Sequence, residues 1–143
     1  MNNWYCYLLK SVDSNKTYIG ATNNLYKRLN NHNSLKYGAK YTRGENWYVI
    51  LVISGFKGKR ECLSFETGWH KINKRRKKWI YKKSLKGINN RIQQLTNLLY
   101  LGNSLNKWIN MDLTINILEN INIEILNKYN INSNYNKMLF MNH

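Results

Sequence analysis

Two unbroken apolar runs limit the folds open to this chain. Trp4-Tyr5-Cys6-Tyr7-Leu8-Leu9 shows no polar alternation, so a strand there must be buried on both faces. Trp47-Tyr48-Val49-Ile50-Leu51-Val52-Ile53 is the strongest strand signal in the sequence and is stopped at Ser54-Gly55. Between them, Asp13-Ser14-Asn15 supplies a turn and Thr17-Tyr18-Ile19-Gly20 returns as a second strand, which makes a short hairpin. Thr22 stands where a helix N-cap belongs, ahead of residues 23–32, in which Leu25 and Leu29 are one turn apart. Arg28 and His32, at i and i+4, share a face of that helix. Residues 34–46 are polar and glycine-bearing and read as an exposed loop. A second helix is expected from about Lys59 to Lys71, with Cys62, Phe65, Glu66, Trp69 and Ile72 along its apolar stripe. A third helix over Ile88 to Leu101 and an alternating, half-buried strand over residues 113–117 follow.

This order predicts an α+β fold: a small, mostly antiparallel sheet of about three strands flanked by helices, with a C-terminal helix and a late strand packed on it. The 143 residues suit one domain over 1–118, including a basic helical segment at 71–101. Residues 119–143 form an Asn-rich tail in which Ile121, Ile123 and Ile125 keep the alternation of an extra strand.

Charge narrows the partners. Twenty-three Lys and Arg face seven Asp and Glu, for a net charge of +16. Residues 67–111 hold eleven of the bases and no acid, so that stretch must meet water, an anionic surface or a polyanion, with nucleic acid the leading candidate. Seven carboxylates, at positions 13, 45, 61, 66, 112, 119 and 124, nearly exclude an EF-hand loop, a glycosidase pair or a carboxylate-rich two-metal site. Cys6 and Cys62 make no disulfide framework and have no partner at zinc spacing, which points to a reducing, intracellular setting, nuclear or cytoplasmic. No run of eighteen apolar residues and no signal-peptide segment is present, so no membrane partner is expected. The absence of proline and the abundance of Asn, Lys and Ile fit AT-rich coding, as in a viral, parasite or organellar gene, and a viral replication site suits that bias.

Tyr5-Cys6-Tyr7, a gap of ten residues, Tyr18-Ile19-Gly20, then Arg28, His32 and a helical Glu66 resemble the GIY-YIG nuclease superfamily. The nearest likeness within it is to the catalytic subunit of the eukaryotic structure-selective endonuclease acting on flaps and Holliday junctions. That likeness rests on Tyr7-Leu8-Leu9, Gly38-Ala39-Lys40-Tyr41-Thr42, Trp47, Gly55-Phe56, and Phe65-Glu66 followed by Trp69. The first motif lacks its glycine, and the subgroup's C-terminal zinc-binding RING-like domain has no counterpart here. No scaffold subunit is therefore expected, and the chain would act as a monomer or homodimer.

The resemblance implies a metal-dependent endonuclease that hydrolyses phosphodiester bonds in branched double-stranded DNA during recombination, repair or replication. Glu66 would hold one Mg²⁺ or Mn²⁺ ion per active site, and Arg28 would clamp the scissile phosphate with its planar fork of donors. Tyr7 and Tyr18 would flank the attacking water, one phenol acting as base, and His32 would hydrogen-bond a tyrosine or a phosphate. The ordinary readings are core aromatics for the tyrosines, a solvated Arg28, a structural His32, and an ion pair of Glu66 with Arg60 or Lys71. The DNA-binding candidates are Lys40 and Arg43 in the loop, then Lys71, Lys74, Arg75, Arg76, Lys77, Lys78, Lys82 and Lys83, with Lys86 and Arg91 continuing the run. Two other functions stay open: a non-catalytic basic nucleic-acid-binding protein with this fold, and a homing-type endonuclease.

Overall fold

A computed structural model of the chain describes residues 3–34, 40–75, 87–104 and 111–118. Strands β1 (Tyr5–Ser11), β2 (Thr17–Thr22), β3 (Trp47–Ser54) and β4 (Thr114–Ile117) form one antiparallel sheet in the order β2-β1-β3-β4. Helix α1 (Leu25–His32) follows β2, a 3₁₀ turn (Lys40–Thr42) precedes β3, and α2 (Lys59–Arg75) and α3 (Gly87–Ser104) lie between β3 and β4. The expected α+β architecture holds, and the late strand completes the sheet as its fourth member by pairing with β3.

β1 is central, and its alternation sorts two cores. Cys6 and Leu8 face α2 and α3, joining Phe65, Trp69, Ile92 and Leu95. Tyr7 and Leu9 face α1, joining Leu25, Trp47, Val49 and Val52. Thus the first apolar run is buried on both faces because helices cover both sides of the sheet. The β1–β3 register shifts between Leu8, which faces Leu51, and Leu9, which faces Val49. Ile50 is the extra residue of this bulge, so Ile50 and Leu51 both enter the core under α2 and α3. β3 ends where Gly55 takes φ 98°, and a Cβ there would collide with the backbone carbonyl of Asp112 on the segment entering β4.

Two local expectations change. Thr22 is not the cap of α1: Asn24 is, its side chain accepting from the Lys27 amide at 3.1 Å, while Thr22 Oγ1 accepts from the Asn24 amide at 3.0 Å. Thr22 thus sets up the turn that brings Asn24 to the capping position. β4 does not alternate, since Ile115, Asn116 and Ile117 are all buried at the sheet edge. The tail 119–143 lies outside the described residues.

Candidate active site

Tyr7 and Tyr18 enter the site from adjacent strands, and Gly20 makes room for them. Tyr7 pairs with Gly20 across β1 and β2, and a Cβ at Gly20 would fall on the Tyr7 hydroxyl and ring. The final glycine of Tyr18-Ile19-Gly20 is therefore required sterically, whatever the chemistry. The Tyr7 and Tyr18 ring centroids are 6.4 Å apart.

Helix α1 lays Arg28 and His32 over this pair. The Tyr7 hydroxyl lies 2.8 Å from His32 Nε2, and Arg28 Nε donates to the same hydroxyl at a long 3.4 Å. The His32 ring also packs against Tyr18, with centroids 4.7 Å apart. The other ring nitrogen, Nδ1, is 3.0 Å from Thr42 Oγ1. Donor logic orders the chain. Arg28 can only donate, so the Tyr7 oxygen accepts from it; in the tautomer that leaves Nε2 unprotonated, Tyr7 gives its own proton to His32. His32 Nε2 is then the acceptor, and Nδ1–H donates to Thr42.

The electrostatics keep the imidazole neutral, which that tautomer requires. Burial, aided by the Arg28 charge, lowers the His32 pKa from 6.5 to about 4, so the ring is neutral near pH 7. Burial pushes the Tyr7 phenol well above its ordinary value against the pull of Arg28, with Tyr18 and Glu66 adding to the rise. Burial also works against the charge on Arg28, but its bonds to Tyr7 and Tyr18 and the nearness of both phenols outweigh it and raise its pKa.

Glu66 joins from α2. It is not a fully buried carboxylate within the apolar stripe: its side chain is 24% exposed, at the rim. Its partner is neither Arg60 nor Lys71 but His70, one turn along, whose Nε2 is 3.4 Å from Glu66 Oε2. Glu66 is near enough for its charge to raise Tyr7, and it adds to the burial that pushes the Cys62 thiol to about 12. Glu45, by contrast, is held elsewhere by Ser11 and Lys16. The five expected residues, Tyr7, Tyr18, Arg28, His32 and Glu66, thus fall in one neighbourhood.

Three supporting residues were not among the expected ones. Thr42 is fully buried in what reads as an exposed loop; its hydroxyl meets His32 and its carbonyl accepts from Trp47 Nε1 at 2.8 Å. Asn33, just past α1, bonds both backbone groups of Trp47, at 2.6 and 3.1 Å, which ties the His32 end of α1 to β3. His70 Nε2 also lies 3.2 Å from the Ile19 carbonyl. Thr42 stands inside the quoted loop motif, so a signal for it existed; Asn33 is one asparagine among many.

The basic candidates divide. Arg43 and Lys71 are exposed, Arg43 beyond the Thr42 turn and Lys71 on α2 after His70. Arg91 is not a surface phosphate contact: its Nε donates to Thr17 Oγ1 at 2.9 Å and its Nη1 to Gln94 Oε1 at 3.1 Å, joining α3 to β2. The side chains of Lys40, Lys74 and Arg75, and the whole of Arg76, Lys77, Lys78, Lys82, Lys83 and Lys86, lie outside the described residues.

Comparison with known proteins agrees with this geometry. Residues 3–81 match the model of the GIY-YIG catalytic domain. The chain is 57% identical over 79 residues to an uncharacterized protein of Acanthamoeba polyphaga mimivirus, covering 53% of this chain and 48% of that one. It is 44% identical over 71 residues to the structure-specific endonuclease subunit SLX1 of Malassezia globosa, covering 48% of this chain and 16% of that one. It is 39% identical over 80 residues to the UPF0213 protein YazA of Bacillus subtilis, covering 56% of this chain and 78% of that one. The chain spans about half the length of the mimivirus relative and far less of the SLX1 protein. Among the described residues, no helix is long and apolar enough to cross a membrane.

Proposed function

We propose that this chain, which belongs to the GIY-YIG catalytic-domain family, is an endonuclease that cuts branched double-stranded DNA with the help of one divalent cation. The family and the relatives named structure-specific endonuclease subunit support a nuclease role. The observation that carries the catalytic reading is the bonded row Arg28, Tyr7, His32, Thr42 with Glu66 beside it. A non-catalytic binding protein has no need of a buried phenol aimed at a neutral imidazole.

The row provides a route for a proton. Water attacking phosphorus loses a proton to the Tyr7 oxygen as the Tyr7 proton passes to His32 Nε2. His32 becomes an imidazolium held through Nδ1–H to Thr42, and no free phenolate need form. In this reading Tyr7 is the base, because it is the tyrosine hydrogen-bonded to His32. Tyr18 flanks the water and, with Tyr7, holds Arg28 in place, while the guanidinium faces the charge developing on the phosphate oxygens.

The residues present fit Mg²⁺ or Mn²⁺. Among the described residues no cluster of three or more His, Cys, Asp or Glu could build an all-protein cage, as zinc would want. A rim-exposed carboxylate such as Glu66 suits a hard cation that keeps several waters and shares phosphate oxygens. Such an ion supplies, when bound, positive charge to the phosphate and the departing oxygen.

The test is cleavage of labelled linear duplex, 5′-flap and four-way junction DNA with Mg²⁺ or Mn²⁺, beside Glu66→Gln. Branch-dependent nicking lost in EDTA and in Glu66→Gln, with binding retained, is expected. Normal cutting by Glu66→Gln removes the metal role, equal cutting of linear and branched DNA removes the branch preference, and binding without cutting leaves the non-catalytic reading.

A further inference from the structure

His70 belongs to no motif discussed above, yet its Nε2 stands between two acceptors that matter. It is 3.4 Å from Glu66 Oε2 and 3.2 Å from the carbonyl oxygen of Ile19. A carbonyl oxygen cannot donate, so Nε2 carries a hydrogen and gives it to Ile19, with the Glu66 carboxylate close beside the same nitrogen. Ile19 sits between Tyr18 and Gly20 on β2. One imidazole nitrogen therefore stands between the Glu66 carboxylate and the strand that supplies Tyr18 and gives Tyr7 its space.

Simple packing does not account for the arrangement. The His70 side chain is 39% exposed, so it fills no cavity, and a surface His–Glu pair at i and i+4 contributes only a few tenths of a kcal/mol. What the bridge does supply is direction. A half-exposed glutamate on a helix has several rotamers open to it, and a donor anchored at a backbone carbonyl favours the one that points Oε2 toward β2. Oε1 is then left without a part in that contact, in a carboxylate whose charge already reaches Tyr7.

We propose that His70 is a positioning residue that presents the Glu66 carboxylate to the divalent cation by bridging it to the Ile19 carbonyl. The inference rests on the metal reading of Glu66 and adds a residue to it. Losing such a supporting hydrogen bond typically weakens metal affinity by about 10- to 100-fold.

The test uses the full chain with His70→Gln and His70→Met. The two side chains are alike in reach and both are good helix formers, but only the Gln amide can donate to both acceptors. Mn²⁺ binding is followed by loss of the free-ion electron paramagnetic resonance signal, with junction-DNA affinity in EDTA and the thermal midpoint measured alongside. His70→Met should weaken Mn²⁺ binding by about 10-fold or more with DNA affinity unchanged, and His70→Gln should restore most of it. Wild-type Mn²⁺ affinity in His70→Met, or equal loss in both variants, overturns the positioning role. Glu66→Gln in the same titration separates the two readings. If it binds Mn²⁺ like wild type, the metal role of Glu66 itself falls and the inference falls with it. If Glu66→Gln loses binding and His70→Met does not, only the inference falls.

Discussion

His32 is useful in the proposed proton route because burial and the nearby Arg28 keep it uncharged. The same shift makes stability depend on pH. The unfolded chain takes up a proton here below about 6.5, its ordinary value, while the folded chain resists until about 4, so the unfolded state binds more protons in that window. Stability should therefore fall as pH drops from 6.5 toward 4, and thermal unfolding across that range should show a declining midpoint in the wild type and a flatter profile in His32→Gln. An equally steep decline in both would mean His32 is not the group responsible. Tyr7, Tyr18, Arg28, His32 and Glu66 were legible because each sits in a motif of fixed spacing. Not all of their partners were. Helix spacing alone puts His70, at i+4, beside Glu66 in preference to Arg60 or Lys71, but the approach of His70 to the Ile19 carbonyl depends on where α2 lies against β2, and that is settled by tertiary packing.

Helix α1 carries both Arg28 and His32, so its start fixes their orientation. Asn24 caps it through the Lys27 amide. Replacing Asn24 by Ala should cost about 1 kcal/mol, read as a lower urea midpoint, while Asn23→Ala, whose side chain does not cap the helix, should cost less. Equal losses would show that the cap contributes nothing particular. Element types and order were readable from hydrophobic period alone. The missed details share a cause, since competing residues stand side by side: Thr22, Asn23 and Asn24 are all good caps, and Ile50 and Leu51 are equally apolar, so nothing local marks the bulge. Asn116 is buried where it pairs with Val52 of β3, a neighbour its own sequence does not specify.

At the scale of the whole molecule, the net charge of +16 dominates. The acid-free stretch 67–111, with its eleven bases, begins directly after Glu66, on the helix that carries it. Replacing Lys77, Lys78, Lys82 and Lys83 together by Ala should flatten the dependence of junction affinity on salt, by about 0.9 in logarithmic slope for each duplex phosphate no longer neutralised. The cleavage rate at saturating DNA should stay near wild type. An unchanged slope would place DNA on another face. That much charge is independent of the fold, which makes the buried Thr42 consequential. Its hydroxyl meets His32 Nδ1 and its carbonyl accepts the Trp47 indole N–H, so the setting of the imidazole depends on Trp47, the first residue of β3. The positive charge and the ordered site are thus separable properties: a copy whose β3 stood apart would keep every lysine and arginine and lack the oriented imidazole.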